Sequence, residues 1–243
     1  MVMREEARAN GMASLLPTTA LLARVRAFCF PNGEESARGV RAMKATERGE
    51  MRSSARSRWL AFTAEETIEA CRSGFRWEAR YQGGAMGWVG ITEGYEGGHG
   101  RLSLRLGGVI PVKRAQGPEY DKGELQRYLA SIMLCPPILL NHPSLEWTAL
   151  DAQTLRVSDR NDPTGATVDF EVDGDGRPVR CRSVRPMTVG KRTIATPWLG
   201  TCLDYGDCEG CRVARRIEAS WEPPEGPFCY FRSEVTSCLV LTS

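Results

Sequence analysis

The feature that most constrains this chain is a change of period after Gly74. From there on, apolar residues recur at every second position. FRWEARY places Phe75, Trp77, Ala79 and Tyr81 on one side, and RLSLRL does the same with Leu102, Leu104 and Leu106. SLEWTAL repeats the pattern with Leu145, Trp147 and Ala149, and ATVDFEV with Val168, Phe170 and Val172. Successive side chains of a strand point to opposite faces, so such alternation marks half-buried antiparallel strands. The Asp-Gly turn DGDGRP leads into VRCRSV with Val179 and Cys181 inward, which predicts a hairpin. Further strands are predicted near GTCLDY, RRIEASWE and FCYFRSEV, with turns at Pro197–Gly200 and Pro223–Pro227 and an edge strand at GVRAMKA. The expectation is a meander of roughly eight to ten strands, a sheet large enough to curl.

Helical spacing interrupts this pattern in three places. Leu21, Leu22, Val25 and Phe28 predict a helix from Pro17 to about Ala27. TAEETIEACRSG reads as a short helix, Ala64–Arg72, with Thr63 and Glu66 as a capping box and Gly74 as a left-handed C-terminal cap. GELQRYLASIMLCPPILL, Gly123–Leu140, carries Leu125, Tyr128, Leu129, Ile132 and Met133 on one continuous stripe. Asp121 is its expected cap, Pro136 and Pro137 its stop, and Gln126, Arg127 and Ser131 its outer face. The stripe places this helix against the concave side of the sheet. The predicted fold class is therefore α+β: a large curved antiparallel sheet with helices packed on its concave face. Residues 1–15 are expected to form an N-terminal tail and residues 16–243 a single domain.

Charge and composition narrow the function classes. The chain has 32 Lys and Arg against 30 Asp and Glu. So even a balance gives no reason to expect nucleic acid as a partner. A basic excess within residues 1–58, including the run Arg52–Arg58, has few interleaved aromatics and reads as a solvated face. No run approaches the ~20 apolar residues of a membrane span. The opening MVMREEARANGM carries acidic residues and no apolar signal core, so a soluble cytoplasmic protein is expected. Nine cysteines, an odd number without an export signal, suggest reduced thiols.

Several motifs suggest chemistry and fall short of it. Cys208-Glu209-Gly210-Cys211 is one CxxC pair, whereas a structural zinc site needs four ligands. It falls in a predicted hairpin turn rather than at a helix N-terminus, so structural thiols are expected. DGDG begins like a calcium loop, but Val184 stands where the closing Glu is required. GYEGGHGR lacks the Lys-Ser/Thr of a phosphate-binding loop and reads as a turn holding His99. No nucleophile–base constellation is legible around the two histidines. No cofactor and no metal are expected. A cavity between curled sheet and helix is the better candidate, with Trp77, Trp88, Trp147, Trp198, Trp221 and Tyr128 available to line it or to fill the core.

These residues also resemble an uncharacterised bacterial family, a domain of unknown function, marked by GEL-x-RYLAE, P-x-x-LL and a Trp, then a late PW…DY…G…W…Y segment. The matches are Gly123-Glu124-Leu125, Arg127-Tyr128-Leu129-Ala130, Leu139-Leu140 and Trp147. They continue through Pro197-Trp198, Asp204-Tyr205, Gly210, Trp221 and Tyr230, with Gly74-Phe75 and Trp77 upstream. Ser131 and Leu134 stand where that pattern has Glu and Trp. The resemblance implies no particular reaction. The strand pattern is also similar to the half-barrel of lipoprotein-carrier proteins, an analogy of fold and not of function.

The leading reading is non-enzymatic binding of a small apolar or lipid-like ligand in the sheet–helix cavity. Trp77, Tyr128, Trp147 and Trp198 would supply apolar surface, and Arg127 would pair with an anionic head. The first alternative is an enzyme, such as a hydrolase, with Glu124, Arg127, His99 and Asp204 meeting at the cavity mouth. The second is a structural or interaction protein with a filled core. Oligomeric state is left open.

Overall fold

A computed structural model of the protein describes residues 17–82, 88–190 and 192–242. The expected tail lies outside these residues. A helix, α1, spans residues 17–29. Six strands follow: β1 (Ala42–Met51), β2 (Leu60–Glu69), β3 (Phe75–Gln82), β4 (Trp88–Glu96), β5 (His99–Leu106) and β6 (Ile110–Gln116). Next come α2 (Pro118–Ala130), a tight turn at Ser131–Met133 and the short α3 (Ile138–Asn141). The remainder is β7 (Leu145–Ala149), β8 (Thr154–Asp159), β9 (Thr167–Val172), β10 (Pro178–Val189), β11 (Arg192–Cys208), β12 (Cys211–Trp221) and β13 (Phe228–Leu241).

All thirteen strands join one sheet in the order β6-β5-β4-β3-β2-β1-β13-β12-β11-β10-β9-β8-β7. Every recorded pairing is antiparallel. Two meanders thus meet where β1 pairs with β13, and β6 and β7 become the outer edges. The chain must pass from one edge to the other between β6 and β7. It does so as α2 and α3, and α2 touches β4, β5 and β6 on one side and β9 and β10 on the other. The sheet curves around this crossing without closing, an α+β half-barrel with helices in its hollow.

The apolar stripe of the crossing helix is where its spacing predicts. Leu125, Tyr128, Leu129, Ile132 and Met133 are all buried. The helix starts earlier than expected, with Pro118 at its first turn, where a missing N–H costs nothing. Asp121 is therefore no cap, and its Oδ1 accepts the Gly100 N–H at 2.8 Å. Gly100 is required there: a Cβ would stand 2.2 Å from the Tyr120 carbonyl oxygen. Ordered helix ends at Ala130, before the two prolines.

Four expectations about elements are corrected. Ala64–Arg72 is not a helix; β2 runs through it to Glu69, with Phe62, Ala64, Glu66 and Ile68 buried in alternation between β1 and β3. GVRAMKA is no edge strand, because β1 is paired on both sides. Pro197–Gly200 is no turn but lies within β11. A strand residue's N and C=O point the same way. The Pro197 carbonyl accepts from Glu222, just past the end of β12, so its missing donor costs no ladder bond with β10. Finally, Gln126 and Ser131 are buried rather than on an outer face. Gln126 donates to the Ser183 hydroxyl and the Val184 carbonyl of β10.

A buried ion cluster beneath the crossing helix

Glu66, Trp77 and Glu93 are direct cross-strand partners on β2, β3 and β4, so they form one row across the concave face. Arg127 hangs from α2 over this row. Its guanidinium donates to Glu66 at 3.1 Å and, more closely, to Glu93. It also lies over the rings of Trp77, 5.0 Å from the centroid, and Phe75, 4.7 Å. Glu47 on β1 is buried beside Glu66, Ser233 and Trp77. Glu124 enters from α2, one turn before Arg127.

The electrostatics follow from burial. Loss of hydration raises the Glu66 carboxyl to about 8, with Arg127 opposing and Glu47 and Glu93 adding to the rise. Burial raises Glu124 to about 7, helped by Glu93 and opposed by Arg127 and Arg185. Glu47 is raised by burial, opposed by the neighbouring Ser233 hydroxyl and the Arg127 charge. For Arg127, burial pulls toward the neutral form, but Glu93, Glu66, Glu124 and Glu47 outweigh it and hold the guanidinium charged.

Beside the cluster lies a cavity of about 260 Å³. Its other wall is apolar and aromatic: Met51, Leu134, Ile217, Trp198, Trp221 and Phe231. Trp198 and Trp221 are cross-strand partners on β11 and β12. Trp198 donates its ring N–H to the Tyr230 hydroxyl at 3.1 Å, and Trp221 stacks on Tyr230. Arg185 of β10 covers the Trp198 ring at 5.0 Å and gives one N–H to the Gly123 carbonyl. Gly200 keeps the wall open, since a Cβ there would meet the Cys181 sulfur at 2.6 Å and the Trp198 ring at 3.0 Å. Four atoms of the lining residues are buried without a hydrogen-bond partner: Glu47 Oε1, Trp77 Nε1, Glu124 Oε2 and Arg185 Nε.

The residues singled out from sequence separate in space. Trp77, Arg127 and Trp198 line this cavity, as do Ser131 and Leu134. Tyr128 is fully buried elsewhere, its hydroxyl donating to the Glu69 carbonyl and its ring beside His142. Trp147 packs on Phe170 at a second, much smaller pocket under α1. Trp88 is partly exposed on other ground, near Arg80. Glu124 and Arg127 share the cavity, but His99 is exposed beside Asp121 and Asp204 is exposed near Arg216. Those four groups do not converge. Glu47, Glu66 and Glu93 were not legible as a site, because they lie on three strands. The available signal was a single charged residue at an inward position of an otherwise apolar face, as Glu66 is among Phe62, Ala64 and Ile68.

A Ser-His-Asp grouping absent from any motif also forms. Ser73 lies 3.2 Å from His142 Nε2 and donates to Asp159, which also accepts from Ser144. His142 Nδ1 accepts the Ser144 backbone N–H, so Nε2 carries the ring proton and faces Ser73 as a donor. A serine nucleophile needs the reverse, with Nε2 free to accept and the carboxylate on Nδ1. The group ties the β2–β3 turn to β8. Cys208 and Cys238 form a disulfide, which corrects the expectation of reduced thiols for that pair; Cys211 remains a buried free thiol. Among the described residues no cluster of three metal-ligating side chains occurs, and no helix is long and apolar enough to cross a membrane.

The fold and the site together define an open half-barrel with a mixed ionic and aromatic cavity beneath its crossing helix. The chain belongs to DUF6544, a family of unknown function, which it matches over residues 21–233. Its fold is similar to that of a DUF1329 family protein from Desulfovibrio piger, with a TM-score of 0.54 and 8% identity over 92% of this chain and 93% of that one. That likeness shows the fold alone. Weaker similarity extends to a LolA superfamily protein from Nitrosomonas europaea (TM-score 0.49, 11% identity, 93% of this chain, 94% of that one). A putative outer membrane lipoprotein-sorting protein domain from Vibrio parahaemolyticus gives a TM-score of 0.48 at 11% identity, covering 93% of each chain. No curated protein matches the sequence.

Proposed function

We propose that this protein binds a small apolar or lipid-like ligand, without transforming it, in the cavity between α2 and the sheet. One observation carries the reading: a cavity of about 260 Å³ with an aromatic and aliphatic wall is left open inside an otherwise packed hollow. That volume is near the lower end of pockets that hold small ligands, roughly 300–1,000 Å³. Trp77 and Trp198 serve as wall surface. Arg127 is occupied by Glu66 and Glu93, so its part is to hold the acidic wall in place rather than to take an anionic head.

The test is titration with N-phenyl-1-naphthylamine, a neutral apolar dye that fluoresces when desolvated. We expect saturable binding at one site, lost in Leu134→Trp, which fills the cavity from the turn after α2. Circular dichroism checks that the variant folds. Absence of saturable binding, or binding indifferent to Leu134→Trp in a folded protein, would overturn the reading. Tyr128→Phe and Trp147→Phe should leave dye affinity unchanged, because both side chains lie outside the cavity.

A further inference from the structure

Glu124 is more than nine-tenths buried, faces the cavity, and its Oε2 meets no hydrogen-bond partner. The cations nearby already have partners, although Arg185 Nε has none. Arg127 is held by Glu66 and Glu93, and Arg185 by the Gly123 carbonyl and the rings of Trp198 and Trp221. We propose that the cavity selects amphiphiles with a protonated amine head, which donates to Glu124 while the hydrocarbon tail lies along Met51, Leu134, Ile217 and Trp198. This inference rests on the cavity being a ligand site.

Three head chemistries can be compared. A carboxylate head would enter beside Glu124 and the Glu66–Glu93 row, with Arg185, which already gives one N–H to the Gly123 carbonyl, as the cation left to receive it. A neutral head would satisfy a lone pair on Glu124 but add nothing to the partial charge compensation that Arg127 and Arg185 give it in a poorly hydrated site. An ammonium head supplies both the donors and the charge, in surroundings where opposite charges attract far more strongly than in water.

The selection carries a pH signature. The groups facing Glu124 are Glu93 from β4, Arg185 from β10 and Arg127 from its own helix. Beyond them the cavity is bordered by Glu47 of β1, Glu66 of β2, Glu218 of β12 and Tyr230 of β13. Burial raises Glu124 to about 7, so part of the population is protonated at neutral pH and cannot pair with a cation. Affinity for an amine head should therefore rise as pH increases through that value, with proton release on binding.

The experiment is calorimetric titration of the full chain with dodecylamine, dodecanol and laurate, each kept monomeric. Dodecylamine should bind at least about tenfold tighter than either of the others, a difference of ~1.4 kcal/mol. Its affinity should increase between about pH 6 and about pH 8, and Glu124→Gln should abolish both the preference and the increase. Circular dichroism checks that this variant folds, and N-phenyl-1-naphthylamine binding by the parent protein separates failure of head selection from failure of the pocket. Equal or tighter binding of laurate or dodecanol, or an amine preference that survives Glu124→Gln, overturns the inference while the dye result leaves the cavity reading standing. Failure of the dye to bind the parent protein overturns both.

Discussion

Arg127 organises the charges of the hollow. It pairs with Glu93, donates to Glu66 and covers two aromatic rings, so its loss removes polar and packing contacts together. Arg127→Met keeps the volume and leaves the carboxylates without a cation, and should cost about 3–5 kcal/mol in urea unfolding. The carboxyls set the pH response. Glu66 and Glu124 are raised to about 8 and about 7 from an ordinary 4.5. Between those values the folded chain holds more protons than the unfolded chain, so their contribution is complete below the ordinary value and is lost as pH rises. Stability measured by urea melts should fall from about pH 5 to about pH 8, and Glu124→Gln should flatten the part of that fall near neutrality.

At the scale of elements, the alternation was legible because it reports a local property, which side of a strand faces the core. β3, β7 and β9 follow it directly. β2 did not yield to the same reading. Thr63 and Glu66 have capping-box spacing, and only the partners across the sheet show that Glu66 is committed to Arg127 instead. The polar face of α2 was misplaced for a related reason. Spacing identifies an apolar stripe but does not reveal that the opposite face looks onto buried carboxylates. GYEGGHGR was expected to be one turn, but β4 and β5 run through it and only Gly97 and Gly98 link them; Gly100 lies within β5, and its close contact with the start of α2 depends on tertiary geometry. Gly100→Ala should displace α2 and destabilise the protein by about 1–3 kcal/mol in thermal or urea melts. Dye affinity should weaken with it, because α2 forms one side of the cavity. An unchanged melt would mean the helix does not need this close approach.

At the scale of the whole molecule, the architecture follows from one topological fact. Two antiparallel meanders share the β1–β13 seam, and the segment linking their far edges has to cross the hollow. That crossing segment supplies both the core stripe and two of the charges that face the cavity, Glu124 and Arg127. The Cys208–Cys238 bond closes a loop across the seam half of the sheet, with a sequence separation of 30. Cys238→Ser should lower stability by about 3–4 kcal/mol under oxidising conditions, and reduction of the parent protein should lower it similarly. The cavity itself could not be read from the sequence. Five tryptophans and Tyr128 were equally compatible with filling a core, and the structure divides them among the cavity wall, the packed interior and the surface.

The most direct test of the account is native mass spectrometry of the gently purified full chain, followed by denaturation and identification of whatever is released. The account predicts a discrete one-to-one adduct of small-molecule mass that is lost on unfolding and missing from Leu134→Trp. A folded parent protein that carries the bare chain mass, indistinguishable from the filled variant, would contradict it.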